Sequence, residues 1–155
     1  MHIEQKIAKL LTQKQETLAV AESCTGGLLA NRLTNIPGSS RFFQFGIVAY
    51  ANEAKMKLLN LPQKTIRKFG AVSPQVAELM AKRVRKLLKC DFGIGITGIA
   101  GPTGATKNKP IGLVYAAIST NKETKSFKFI FKGTRATIKS LAATKALRLL
   151  LKFIS

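Results

Sequence analysis

The sequence is poor in several residue types, and each shortage excludes something. It has one histidine, His2, no tryptophan, two cysteines (Cys24 and Cys90), and 7 Asp+Glu against 26 Lys+Arg. A Ser–His–Asp or Cys–His mechanism would have to rest on His2, at a chain end where order is poorest. A histidine-rich metal centre is excluded for the same reason. Two cysteines complete neither a zinc site nor a disulfide framework, so a reducing, cytoplasmic compartment is expected. No apolar run approaches the ~18–20 residues needed to span a bilayer. The amphipathic opening MHIEQKIAKLLTQKQ does not read as a secretory signal. No membrane partner is therefore expected.

What is present bounds the answer further. The chain has 155 residues, and 46% of them are apolar, enough for one core and a single domain over 1–155. The net charge of +19 points to an anionic partner, either a nucleic acid or a phosphorylated small molecule. The basic residues are scattered, with no Lys/Arg block and no RNA-binding motif. A generally basic surface with weak nucleic-acid binding is the favoured account of that charge.

Periodicity gives the elements. Ile3, Ile7, Leu10 and Leu11 predict a helix over 3–15. Residues 17–23 read as a strand, 24–36 as a helix stopped by Pro37-Gly38, and 42–51 as an apolar and therefore central strand. Helices follow over 52–60, with Asn52 as N-cap, and over 61–70. Ser73-Pro74 opens a clear helix, Ser73 capping and Pro74 at the first position. Its apolar stripe is Val76, Leu79, Met80, Val84, Leu87 and Leu88. Residues 91–97 read as a buried strand, 98–110 as a Gly/Pro loop, 111–120 and 124–132 as a hairpin, and 134–153 as a closing helix. The fold class expected is α/β: a single layered domain, helices packed on a mixed β-sheet, with a C-terminal hairpin and closing helix.

Three segments follow predicted strands: Glu22–Gly27, Tyr50–Lys55 and Thr97–Gly104. If those strands are parallel neighbours, the segments converge on one crevice. The first and third are glycine-rich, as turns that approach a phosphate or carbonyl are, but an ordinary tight turn fits that spacing equally well. Neither is a Walker A or a G-x-G-x-x-G loop. The second carries Lys55. Lysine becomes a base only when burial or neighbouring charge lowers its pKa from about 10.4. It can then take a proton from a serine, with Tyr50 to relay or orient. Ser23, Ser39 and Ser40 are the serines near these segments. By position alone, a solvated surface lysine is the commoner role. Cys24 has no histidine to activate it and reads as a packed thiol. Glu22 and Asp91 lie at strand ends, where a cap or salt bridge is commoner than catalysis.

At these segments the sequence resembles a known family. AESCTGGLLANRLTNIPGSS, VAYANEAK, GAVSPQVAELMA and TGIAGPTG…KPIGLVY resemble the CinA C-terminal domain, in order, from about Leu18 to about Arg135. In CinA proper this domain follows a nucleotide-processing domain, which this sequence is expected to lack. Stand-alone members, the PncC proteins, are nicotinamide mononucleotide amidases. The resemblance implies deamidation of that nucleotide to nicotinate mononucleotide and ammonia, in pyridine nucleotide recycling, without metal or other cofactor. It implies a Ser–Lys arrangement with a tyrosine. The catalytic set carried over is Ser40, Lys55, Tyr50 and Ser23, with Ser40 favoured as nucleophile and Ser23 as its orienting partner. The implied substrate contacts are Thr25, Gly26, Gly27, Thr97, Gly98, Gly101 and Arg135, the glycines as backbone donors and Arg135 towards the phosphate. A homodimer is also implied. The chain departs from the family pattern at Thr134, where an acidic residue is usual, and at Thr103. The alternative is a catalytically inactive module of the same fold that binds nucleic acid or a separate nucleotide-processing partner.

Overall fold

The computed structural model describes residues 1–154. In chain order the elements are α1 (Ile3–Lys14), β1 (Leu18–Glu22), α2 (Leu28–Thr34), β2 (Phe43–Val48), α3 (Asn52–Leu59), α4 (Gln63–Phe69), α5 (Pro74–Leu87), β3 (Phe92–Gly98), β4 (Leu113–Ser119), β5 (Thr124–Ile130) and α6 (Arg135–Ile154). A short 3₁₀ turn, Ser39–Arg41, precedes β2. The five strands form one mixed sheet in the order β2-β1-β3-β4-β5. β1 runs parallel to both β2 and β3, while β3–β4 and β4–β5 are antiparallel. The expected α/β layered domain with a C-terminal hairpin and closing helix is what forms.

Side-chain alternation sorts the sheet into two faces. Leu18 and Val20 of β1, and Phe92, Ile94 and Ile96 of β3, pack under α1, α2 and α6. Ala19 and Ala21 pack on the other face with Leu59, Ile66, Val76, Met80 and Val84 from α3, α4 and α5. On that second face β3 presents Gly93 and Gly95. A Cβ at Gly95 would stand 2.4 Å from the Ala77 carbonyl oxygen, and one at Gly93 would stand 2.2 Å from that of Ala81. The two glycines and two helix alanines therefore let α5 lie directly on the central strand. Ser73 caps this helix as expected, its Oγ accepting from Val76 N–H at 3.3 Å.

Several sequence expectations are corrected. The apolar run 42–51 is not central: β2 is an edge strand with alternating half-buried and exposed residues. A bulge at its start explains the run. Leu18 pairs with Phe43 but Ala19 pairs with Phe45, so Phe43 turns to the α1/α2/α6 core while Phe45 and Ile47 turn to the other. Both cores draw apolar residues from one edge strand. The helix expected over 24–36 is shorter, because residues 24–27 form a turn with Gly26 and Gly27 at positive φ. Asn52 is the first helical residue of α3, and Ala51 takes the cap position. Leu87 and Leu88 leave the apolar stripe of α5 and are 53% and 58% exposed. There the chain reverses through Lys89, at φ 52°, to enter β3.

Candidate active site

The three parallel strands β2, β1 and β3 end side by side, so the segments that follow them meet at one end of the sheet. There Ser23, Cys24, Tyr50, Asn52, Lys55, Ala71, Val72, Thr97, Gly98, Ala100 and Arg135 enclose a cavity of about 190 Å³. The convergence expected from the strand order is present.

Lys55 is the unusual feature of this cavity. It is 1% exposed, on the inner face of α3. Its Nζ donates to Ser23 Oγ at 3.0 Å and to the Tyr50 carbonyl oxygen at 3.0 Å. Among the described residues, no carboxylate is paired with it. Burial lowers its pKa from the ordinary lysine range, against a smaller opposing effect of Cys24. A buried lysine with two neutral acceptors favours its neutral form, which is the form able to take a proton from a serine.

Ser23 is held where Lys55 reaches it. Its main-chain N–H donates to the Ile96 carbonyl at 3.0 Å, which continues the β1–β3 ladder one residue beyond the strand. Just before it, the Glu22 carboxylate accepts from Leu29 N–H at 2.9 Å and Ala30 N–H at 3.0 Å. Glu22 is thus a bidentate cap on the start of α2, and this pins the Ser23–Gly27 turn between strand and helix. Asp91 is also occupied structurally, accepting from the Thr17 N–H and hydroxyl at 2.7 and 3.0 Å.

The remaining expected residues fall into two groups. Thr97 and Gly98 line the cavity, with Thr97 Oγ1 donating to the Ala71 carbonyl at 2.7 Å. A Cβ on Gly98 would meet Leu113 O at 2.8 Å and Cys24 Sγ at 3.1 Å, so the wall there is closed to a side chain. Arg135 Nη1 donates to Gly101 O at 2.6 Å and Nη2 donates to the Tyr50 hydroxyl at 2.9 Å. Gly101, expected as a backbone donor, gives its carbonyl to Arg135 and is not among the residues that line the cavity. Tyr50 engages Lys55 through its main-chain oxygen and Arg135 through its ring hydroxyl, so the hydroxyl is directed away from a relay to Lys55. Gly26 already donates its N–H to Ser23 O at 3.1 Å. Thr25 is fully buried beneath the turn, its hydroxyl without a partner among the described residues, and it does not face the cavity.

Ser40 is not brought to Lys55. It is exposed in the 3₁₀ turn before β2, while the cavity lies beyond the far end of that strand. Six residues of strand at about 3.3 Å each put the two roughly 20 Å apart. The structure thus does not bring Ser40, the serine expected to attack, within reach of Lys55.

Cys24 lines the cavity next to Ser23, but burial pushes its thiol up to about 12. It is a wall of the site, protonated at neutral pH. The two departures from the family pattern are both benign to this geometry. Thr134 Oγ1 accepts from Thr137 N–H at 3.3 Å and caps α6, a task that aspartate and threonine share. Thr103 is exposed and lies outside the cavity lining.

The sequence and fold also place the chain among known proteins. It matches the CinA C-terminal domain over residues 1–154. The chain belongs to this family. It is 47% identical over 152 residues to a putative competence-damage inducible protein of Caldicellulosiruptor saccharolyticus, a match covering 98% of this chain and 37% of that protein. It is 49% identical over 142 residues to a CinA-like protein of Endomicrobium trichonymphae, covering 92% of this chain and 33% of that one. The chain thus spans little more than a third of the length of the curated relatives it matches. Among solved structures, the competence/damage inducible protein CihA of Agrobacterium tumefaciens superposes with a TM-score of 0.96 at 34% identity, covering 99% of this chain and 94% of that chain. A competence or damage-inducible protein of Enterobacter asburiae superposes with a TM-score of 0.95 at 33% identity, covering 99% and 96%.

Sequence reasoning missed several parts of this CinA domain's site. Asn52 is a cavity wall, although its position suggested a cap. Ala71 and Val72 enter from the loop before α5, and nothing in their types marks them.

Proposed function

We propose that this CinA domain is an amidohydrolase that deamidates nicotinamide mononucleotide to nicotinate mononucleotide and ammonia, with Ser23 as nucleophile and Lys55 as its base. The observation that carries the reading is the 3.0 Å contact between Lys55 Nζ and Ser23 Oγ beside the cavity. A serine–lysine pair of this kind is sufficient for amide hydrolysis where no histidine is at hand.

The neutral amine of Lys55 takes the Ser23 proton as Oγ attacks the amide carbon. The C–N bond then breaks, and the same proton leaves with the departing nitrogen as ammonia. Water adds to the Ser23 ester with Lys55 again as base, which releases the carboxylate product and restores the serine. Each tetrahedral intermediate carries an oxyanion. The turn that follows Ser23 is the proposed source of donors for it, each good donor being worth about 3–4 kcal/mol. Tyr50 and Arg135 are proposed to orient the substrate at the cavity mouth, Arg135 towards its phosphate.

Ammonia release from nicotinamide mononucleotide, assayed with the purified protein and with Lys55→Ala, tests the reading. Turnover by the wild type and its loss in the variant are expected. No release by the wild type, or equal release by both, would remove it.

A further inference from the structure

The net charge of +19 is unevenly placed along the chain. From Thr124 to the end there are eight Lys+Arg and no Asp or Glu. That stretch supplies β5 and α6. Among the described residues, the two ion pairs lie elsewhere, at Glu4 and Glu53.

The fold gathers part of this charge around a row of aromatic rings. β5 is the outermost strand of the sheet, so its outer backbone edge is unpaired. α6 lies over β4 and β3 and meets β5 at its margin, where Phe153 touches Phe127 edge-on at 6.4 Å. Phe127, Phe129 and Phe131 follow one another on a single face of the strand and are half-buried. The Phe129 and Phe131 rings stack, with centroids 5.5 Å apart and planes 12° apart. Lys125 Nζ lies 5.9 Å from the centroid of Phe127, and Lys145 Nζ of α6 lies 5.9 Å from that of Phe129. Arg148 and Lys152 follow Lys145 at helical spacing, on the same side of α6, and both are exposed. None of these residues lines the cavity beside Lys55. Core packing accounts for rings at a sheet margin. It does not account for a border of like charges, which repel one another and have no acidic residue between them.

We propose that the margin between β5 and α6 is a second site, which binds single-stranded nucleic acid. The three phenylalanines stack on bases, and Lys125, Lys145, Arg148 and Lys152 meet phosphates. An aromatic face accepts any base, and each nucleotide brings one negative charge for the cations. A duplex keeps its bases stacked on one another and leaves the rings unused, so the rings select the single strand. An anionic lipid surface would engage the cations but offers the rings no flat partner. The site does not depend on the amidase reading.

Fluorescence anisotropy of the full chain with a labelled oligothymidylate of about 12 nucleotides, and with a duplex of equal length, tests this across a salt series. The wild type is expected to bind the single strand at least ~5-fold more tightly than the duplex. Four phosphate contacts give a slope of log K against log salt of about −3. Lys125→Gln/Arg148→Gln/Lys152→Gln is expected to bring that slope to about −1 and to weaken binding at least ~10-fold. Lys9→Gln/Lys64→Gln/Lys86→Gln removes the same charge from exposed positions on other elements, and is expected to stay within about 3-fold of wild type. Phe129→Leu keeps an apolar side chain against the core and is expected to cost the single strand about 10-fold and the duplex nothing. The surface substitutions decide the matter even if Phe129→Leu fails to fold. Equal losses in the two triple variants would reduce the binding to net charge and overturn the site. Duplex binding as tight as single-strand binding, or no binding at about 50 mM salt, would overturn it too. Co-sedimentation with anionic phospholipid vesicles in place of oligonucleotide binding would assign the margin to lipid and overturn it likewise.

Discussion

Lys55 Nζ and Ser23 Oγ lie 3.0 Å apart, the lysine all but removed from solvent and without a carboxylate partner among the described residues. The two residues are joined by fold alone. Ser23 follows β1, Lys55 stands on α3 after β2, and the parallel pairing of those strands brings them together. Burial lowers the lysine's pKa.

The pH dependence follows from that direction. Activity should rise with pH as Lys55 loses its proton, along a limb whose midpoint lies below the ordinary lysine value of about 10.4. Stability moves the same way. Below the folded-state pKa the lysine is charged in both states, and its burial costs the folded state in full. Between the folded value and about 10.4 only the unfolded chain holds the proton, so stability climbs with pH across that window. Urea unfolding of wild type and Lys55→Met at several pH values checks this. The alkaline climb is expected to diminish in the variant. An identical climb in both would contradict the assignment.

Tyr50 is predicted to act on binding more than on chemistry, because its hydroxyl is bonded to Arg135. Tyr50→Phe should raise KM by several-fold and lower kcat less. Steady-state kinetics checks this split. A kcat loss comparable to that of Lys55→Ala would instead make the hydroxyl a proton carrier.

Gly95 is predicted to be intolerant of any side chain. A Cβ there meets Ala77 O at 2.4 Å and Ala81 N at 2.6 Å, both main-chain atoms of α5. Gly95→Ala should cost about 1–3 kcal/mol by lifting the helix from the sheet. The shift in urea midpoint measures it, and an unchanged midpoint would contradict this packing.

The thiols should be silent in the folded protein. Cys24 and Cys90 are both buried, and burial raises both pKa values, that of Cys24 to about 12. Ellman's reagent at pH 8 should find no reactive thiol before unfolding and two after it. Rapid labelling of Cys24 in the folded state would show the cavity to be more open than described.

Much of this was legible in the sequence, and the parts that were not have identifiable causes. The strand–turn–helix order and the Ser73 cap are local signals, and both held. The place of β2 was misread because a bulge lets an edge strand feed two cores, which a count of apolar residues cannot distinguish from a central strand. Leu87 and Leu88 continue the helical period but lie where the chain turns back at Lys89, a tertiary event. Lys55 could be singled out by motif, but its burial and its choice of Ser23 over Ser40 depend on which ends of β1 and β2 are adjacent. The cap favoured for Glu22 over a catalytic role is what forms, on α2.

The serine assignment is the point on which the mechanism turns. The direct test is kcat/KM for nicotinamide mononucleotide deamidation, measured side by side for wild type, Ser23→Ala and Ser40→Ala. Loss of at least ~10³-fold in Ser23→Ala with Ser40→Ala within a few-fold of wild type is the predicted result. Retention of activity by Ser23→Ala, or its loss in Ser40→Ala alone, would contradict it.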